Sequence, residues 1–270
     1  MLSIGLRSIV KIFEQYKGAH MGRTEQYRAH LQQMCEWESY LLAESRLPGA
    51  RANLELARAV AEEGDRAQFD RWLRLTVMQA PTNTPAEFLP FCAVIGYGRL
   101  LAQGDRSILP ELWTVAEDPR WRLREAVAMA LQCWGDVEID GLVSEMAGWC
   151  EGGRYQQRAA LVALCEPTLL NDSLIAQRTL EYLDRVTATI PGTAARHDAG
   201  FIVLRKALGY CWSVAIVAAP ELGMPLMTKW AMVDDPDTRW LVRENLAKPR
   251  LRKLDNNWVT GLMGNITVPT

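Results

Sequence analysis

Apolar residues recur along most of this chain with the spacing of amphipathic helices. Leu123, Val127, Ala130 and Trp134, for example, fall at positions i, i+4, i+7 and i+11 and so share one stripe of a helix. Gly, Pro and Asp interrupt the pattern roughly every 15 to 20 residues, as helix boundaries do. No alternating apolar–polar segment is long enough to predict a sheet. The pattern therefore predicts an all-α chain of helical hairpins.

The breakers also predict where individual helices lie. Residues 24–45 read as one long amphipathic helix. The stretch 199–219 is the most apolar and reads as a central helix that Pro220 ends. Pro249 reads as the end of the last helix.

Three regions follow from these boundaries. Residues 1–20 mix apolar residues with Lys and Arg and precede Met21, so we interpret them as an N-terminal extension, with Met21 as an alternative start. Residues 21–250 are predicted to hold the helical repeats, and residues 251–270 to form an irregular C-terminal tail. The opening lacks the uninterrupted apolar run and cleavage site of a signal peptide, which favours a cytoplasmic protein.

One short phrase occurs twice. Residues 118–127 read DPRWRLREAV and residues 235–246 read DPDTRWLVRENL. A shift of 119 positions superposes Arg120, Trp121, Arg124 and Glu125 on Arg239, Trp240, Arg243 and Glu244. Weaker echoes at 154–161 and 201–208 add two more arginines, so the aligned set is Arg124, Arg158, Arg205 and Arg243. A phrase recurring at one helical phase is typical of stacked helical repeats.

The pattern Asp-Pro-x-Trp-x-Leu-Arg-x-Ala resembles the second helix of a HEAT repeat. This resemblance implies an α-solenoid of HEAT-like helical hairpins, an alpha-alpha superhelix of the armadillo-like class. In that family the aspartate starts the helix and the arginine bridges neighbouring repeats. Carried over, Asp118 and Asp235 would cap helices, and the four aligned arginines would form an internal ladder. The alternative is that the arginines face a ligand.

The second half also resembles the bacterial DNA glycosylases for alkylated purines that are built from HEAT-like repeats. Residues 204–210 read LRKALGY, and Tyr210 matches the aromatic residue that lines the DNA-facing groove of those enzymes. Arg158 matches an arginine that approaches the DNA backbone. The second copy of the phrase, around Arg243, is similar to a further motif of theirs.

The catalytic part of that resemblance rests on Trp121 and Glu125. The glycosylases carry an aspartate four residues after a tryptophan, a spacing that puts both side chains on one helix face. Here glutamate replaces the aspartate, and the flanking acidic, tryptophan-rich motif is missing. The same spacing recurs at Trp240 and Glu244, which indicates that it belongs to the repeat.

Composition narrows the chemistry further. The net charge is −2, which lacks the global basic signature of proteins that coat nucleic acid. Six cysteines without a Cys-x-x-Cys pair and three scattered histidines predict free thiols, no metal site and no cofactor. Residues 237–254 hold six Lys or Arg and two acids, which fits either a phosphate-binding face or a solvated helix end.

The sequence favours a non-enzymatic scaffold whose concave face binds a protein partner or DNA, with no role at a membrane. The residues expected to contact the partner are Trp121, Glu125, Arg158, Lys206, Tyr210, Trp240 and Arg243. The alternative is a DNA alkylation-repair protein that recognises or excises alkylated purines with Trp121, Glu125 and Tyr210.

Overall fold

A computed structural model of the protein describes residues 22–267, and these residues form helices joined by turns and loops, without a β-strand. The N-terminal extension expected at 1–20 lies outside them. Fifteen α-helices are found in the described part of the chain. They are α1 (Arg23–Leu31), α2 (Glu38–Glu44), α3 (Leu54–Glu63), α4 (Arg66–Leu73), α5 (Phe88–Ala102), α6 (Leu109–Val115), α7 (Trp121–Gly135), α8 (Ile139–Glu151), α9 (Arg154–Leu164), α10 (Ser173–Thr187), α11 (Ala199–Ala218), α12 (Pro220–Ala231), α13 (Pro236–Leu246), α14 (Pro249–Leu254) and α15 (Asn256–Thr267). The all-α prediction is confirmed.

The helices of the described residues pack into two compact units. The chain passes from unit 1 to unit 2 between Val137 and Glu138. In each unit, helices pack mainly against their neighbours in the sequence, as in an α-solenoid.

Unit 1 is organised around one row of helices. α1 packs on α3, α3 on α5 and α5 on α7, while α4 covers α5 and α6 covers α7. The side chains between the helices are aliphatic and aromatic, and Phe69, Phe88 and Leu123 have no exposed surface. Their burial supplies the main stabilisation of this row.

Unit 2 has two parallel rows. One row is α9, α11 and α13, and the other is α8, α10 and α12; each helix also packs against its partner from the other row. α11 lies at the centre, as predicted. It is the one helix of the described residues that is long and apolar enough to cross a membrane, but most of it is buried inside the unit.

The predicted core positions are confirmed. Trp134, Trp149 and Trp212 are buried in apolar helices. All six cysteines are free thiols, and four of them are buried. Burial raises the pKa of Cys150 to about 12, so this thiol stays protonated at neutral pH and is no nucleophile.

Two predicted boundaries are wrong. Residues 24–45 form two helices, because the indole of Trp37 donates to the carbonyl oxygen of Leu31 (3.0 Å) across the break between them. Residues 251–270 were expected to be irregular, yet α14 and α15 extend to Thr267. Pro249 starts α14 instead of ending the fold, because proline is well tolerated in the first helical turn.

Candidate functional site

The first copy of the repeated phrase forms a rigid corner at the start of α7. The Asp118 carboxylate accepts the Arg120 backbone N–H (2.7 Å) and also binds the Arg120 guanidinium (2.7 and 2.9 Å). Arg120 is buried and donates further to the carbonyl oxygens of Leu75 and Ala80. The helix starts after Arg120 without a side-chain cap, so the expected capping role of Asp118 is wrong. The Asp118 carboxylate instead forms an ion pair with Arg120.

Arg124 stays within the same corner. Its guanidinium donates to the carbonyl oxygens of Asp118 (2.6 Å) and Pro119 (3.0 Å), in the turn that precedes its own helix. These bonds close the start of α7. They give Arg124 a local role within unit 1.

Trp121 and Glu125 follow on α7, one turn apart. The Trp121 side chain is 43% exposed, and the Arg122 guanidinium lies 4.3 Å from the centre of its ring. Arg122 is itself buried in an ion pair with Glu87 (3.0 Å). One face of the indole is therefore backed by a fixed cation, and the half-buried Glu125 carboxylate lies on the same side of the helix.

The second copy of the phrase is built differently. Asp235 is the N-cap of α13 and accepts the backbone N–H groups of Asp237 (3.0 Å) and Thr238 (2.9 Å). Arg196, from the loop before α11, reaches both Asp235 (2.5 Å) and Asp237. Burial alone would raise the pKa of Asp235, but the bonds from Arg196 and Thr238 outweigh it and hold that pKa below its usual value.

Arg205 bridges successive helix pairs. From α11 it pairs with Asp237 of α13, and its guanidinium lies 4.3 Å from the centre of the Trp240 ring. Trp240 is half-buried, with its ring packed over Gly209 of α11. This cluster of two arginines, two carboxylates and one tryptophan locks α13 onto α11. Arg196 and Asp237 could not be predicted as site residues from the sequence. Arg196 is a loop residue, and Asp237 lies inside the repeated phrase, which already accounts for its presence as part of a helix start.

Two other aligned arginines have separate environments in unit 2. Arg158 is only 8% exposed, so its side chain is not displayed for a DNA backbone as the resemblance implied. Arg243 is exposed and donates to the carbonyl oxygen of Ile266 in α15 (3.1 Å).

A second group of side chains in unit 2 does reach the surface. Tyr210 is 44% exposed on α11, and Lys206 lies one turn before it, also exposed. Arg250 of α14 donates to the Tyr210 hydroxyl (3.2 Å) and lies 4.9 Å from the centre of its ring. An aromatic ring is thereby combined with two cations.

Five cations in and around this group share one property. Within the described residues none of them forms an ion pair with a carboxylate, whereas the neighbouring Arg239 and Lys248 are paired with Asp234 and Glu244. The unpaired cations are Lys206, Arg243, Arg250, Arg252 and Lys253. They lie on α11, α13 and α14, three helices that pack against one another. We call them, with Tyr210, the basic surface of unit 2.

Among residues 22–267 no three His, Cys, Asp or Glu side chains are grouped as a metal site would need. Trp121 and Glu125 belong to unit 1, and the basic surface belongs to unit 2. A scan of protein-family models finds no match to this chain, and searches of curated proteins and of solved structures find none either.

Proposed function

We propose that this chain is a HEAT-like helical-repeat protein without catalytic activity, and that the basic surface of unit 2 binds the backbone of DNA. The observation that carries the proposal is the set of five cations without a carboxylate partner, placed on three helices in mutual contact. Charged side chains left unpaired at a protein surface are available to phosphates, and their binding releases counterions from the nucleic acid.

Tyr210 adds a second kind of contact. Its ring is nearly half exposed and carries the Arg250 guanidinium against it. An exposed aromatic ring next to cations is suited to a base or sugar beside a phosphate. The overall charge of −2 does not oppose this, because four of the five cations of the basic surface lie between residues 243 and 253.

The test compares matched charge changes. We expect fluorescein-labelled DNA of about 20 nucleotides to bind at low salt, with affinity that falls steeply as salt rises. Lys206→Gln with Arg252→Gln should lower the affinity by about tenfold or more and reduce the salt slope by about 0.7 to 0.9 per lost contact.

The control is a double substitution of Arg51 and Arg178 to glutamine, since both are exposed and lie outside the basic surface. It removes the same charge and should change the affinity by less than about twofold. Equal losses for the two doubles would show that DNA responds to net charge and not to the basic surface. No salt-dependent binding at all would contradict DNA binding and favour a protein partner.

A second candidate function is excision of alkylated purines, which the exposed indole of Trp121 favours. A cationic base could stack on the ring while the Glu125 carboxylate stabilises the developing charge on the sugar. The measurement is release of methylated purine from alkylated DNA, which Glu125→Gln should abolish. Absence of release from the unaltered protein would dismiss this candidate and leave DNA binding unaffected.

A further inference from the structure

A furrow of about 450 Å³ lies in unit 1 between α4 and α6, and neither copy of the repeated phrase contributes to it. Its base is the buried ring of Tyr97 from α5. Leu73 of α4 and Pro110 and Val115 of α6 add apolar surface to the walls. The furrow is open along the two helices and apolar at its base.

Carboxylates outnumber cations around the furrow. Three carboxylates bind a single cation, Arg66: those of Asp70 (2.7 Å), Asp105 (3.1 Å) and Glu111 (3.3 Å). The side chains that line the furrow include the carboxylates of Asp70 and Glu111 and one cation, the exposed Arg74. With Arg66 and Asp105 beside them, the group holds three carboxylates and two cations. The carboxylates of Asp105 and Glu111 keep about two fifths of their surface exposed, which leaves them accessible to an incoming cation.

Tyr97 adds no charge to this balance. Its hydroxyl donates to Asp70 (2.5 Å), and burial together with that bond raises its pKa far above neutrality. The base of the furrow is therefore an uncharged ring under a rim of excess negative charge.

The segments that form the furrow also expose apolar side chains. Met78 is 89% exposed in the turn that follows α4, and Val77 beside it is partly exposed. Trp113 is partly exposed on α6. Large apolar side chains exposed on a protein surface are typical of a region that a partner covers.

We propose that this furrow binds a cationic amphipathic segment of a partner protein. An apolar side chain of the segment packs on Leu73, Tyr97 and Val115, and its Lys or Arg side chains reach Asp105 and Glu111. The apolar base supplies affinity, while the acidic rim selects against anionic segments. The furrow belongs to unit 1, whereas the basic surface belongs to unit 2.

The probe is a fluorescein-labelled amphipathic peptide of about 14 residues with Leu on one face and Lys on the other. Its twin carries Glu in place of every Lys. In anisotropy titrations with the full chain, we expect the Lys peptide to bind at least about tenfold more tightly than the Glu peptide. Hydrogen exchange should show protection on α4 and α6 when the Lys peptide is bound.

Two variants with the same change in net charge separate the furrow from general attraction. Thr114→Arg places a cation on the furrow wall and should lower the affinity for the Lys peptide by about tenfold. Glu44→Gln alters an exposed residue of α2, which does not line the furrow, and should change the affinity by less than about twofold.

Several results would overturn the assignment. Equal losses for Thr114→Arg and Glu44→Gln would mean that the peptide responds only to net charge. Protection outside α4 and α6 would place the peptide elsewhere. A dimer of the chain that Thr114→Arg dissociates would show that a second copy covers the furrow. Lys206→Gln should leave peptide binding unchanged, which keeps this test independent of the DNA proposal.

Discussion

Gly98 of α5 lies against Ala130 of α7 so closely that a Cβ atom on Gly98 would come 2.6 Å from the Ala130 Cα. Real Cβ atoms essentially never approach a backbone atom to that distance. The two helices therefore cross at a point where only glycine fits. This crossing joins the two central helices of unit 1.

We expect Gly98→Ala to destabilise the protein by about 1 to 3 kcal/mol, because the backbones of α5 and α7 must separate to admit the methyl group. The control is Gly148→Ala on α8, where an added Cβ meets nothing within 4 Å. That substitution should stabilise by about 0.5 to 1 kcal/mol, since alanine favours a helix interior over glycine. Urea unfolding of both variants measures the two effects, and stabilisation by Gly98→Ala would contradict the close crossing.

The bond between Arg205 and Asp237 predicts a second difference between matched variants. Arg205→Gln removes an ion pair to a buried carboxylate and the contact with Trp240, and should cost about 2 kcal/mol of unfolding free energy. Arg239→Gln removes an ion pair to the exposed Asp234 and should cost less than about 0.5 kcal/mol. Equal costs in urea unfolding would mean that the Arg205 cluster does not hold α13 on α11.

The helical fold could be predicted from the sequence because it depends on local patterns. The apolar stripe of Leu123, Val127 and Trp134 needs only the helical period, and these residues are buried as that period requires. Pro249 shows the limit of the same reasoning. Proline occurs both after helices and at their first turn. Whether Pro249 ends or begins a helix depends on the packing of α15 against α13.

The candidate site could be predicted much less well, because equivalent residues of the two copies of the repeated phrase have different hydrogen-bond and ion-pair partners. Arg120 is buried against the carbonyls of Leu75 and Ala80, whereas its counterpart Arg239 pairs with an exposed carboxylate. The carbonyl partners of Arg120 lie 45 and 40 residues before it, whereas Asp234 lies close to Arg239 in the sequence. A short motif determines that a helix forms. It does not determine which carbonyl or carboxylate groups of neighbouring turns bind the arginine of that motif.

The Asp235 carboxylate predicts how stability depends on pH. Its folded pKa lies below the ordinary value of 3.8, so the native state favours the charged form more strongly than the unfolded chain does. The stabilisation is therefore fully present above pH 3.8 and is lost as the pH falls through the folded pKa. Asp235→Asn keeps a capping oxygen but removes the charge that Arg196 binds, and should cost about 1 to 2 kcal/mol at pH 6.

The difference in unfolding free energy between the unaltered protein and Asp235→Asn, here called the gap, should become smaller below about pH 4, because the native carboxylate becomes protonated. Asp234→Asn is the control, because that carboxylate is exposed and one residue away, and it should show only a small gap at either pH. Unfolding in urea at pH 6 and pH 3 measures both gaps. A gap for Asp235→Asn that stays constant between these two pH values would show that the charge of Asp235 does not stabilise the native state, and that its capping oxygen alone holds the start of α13.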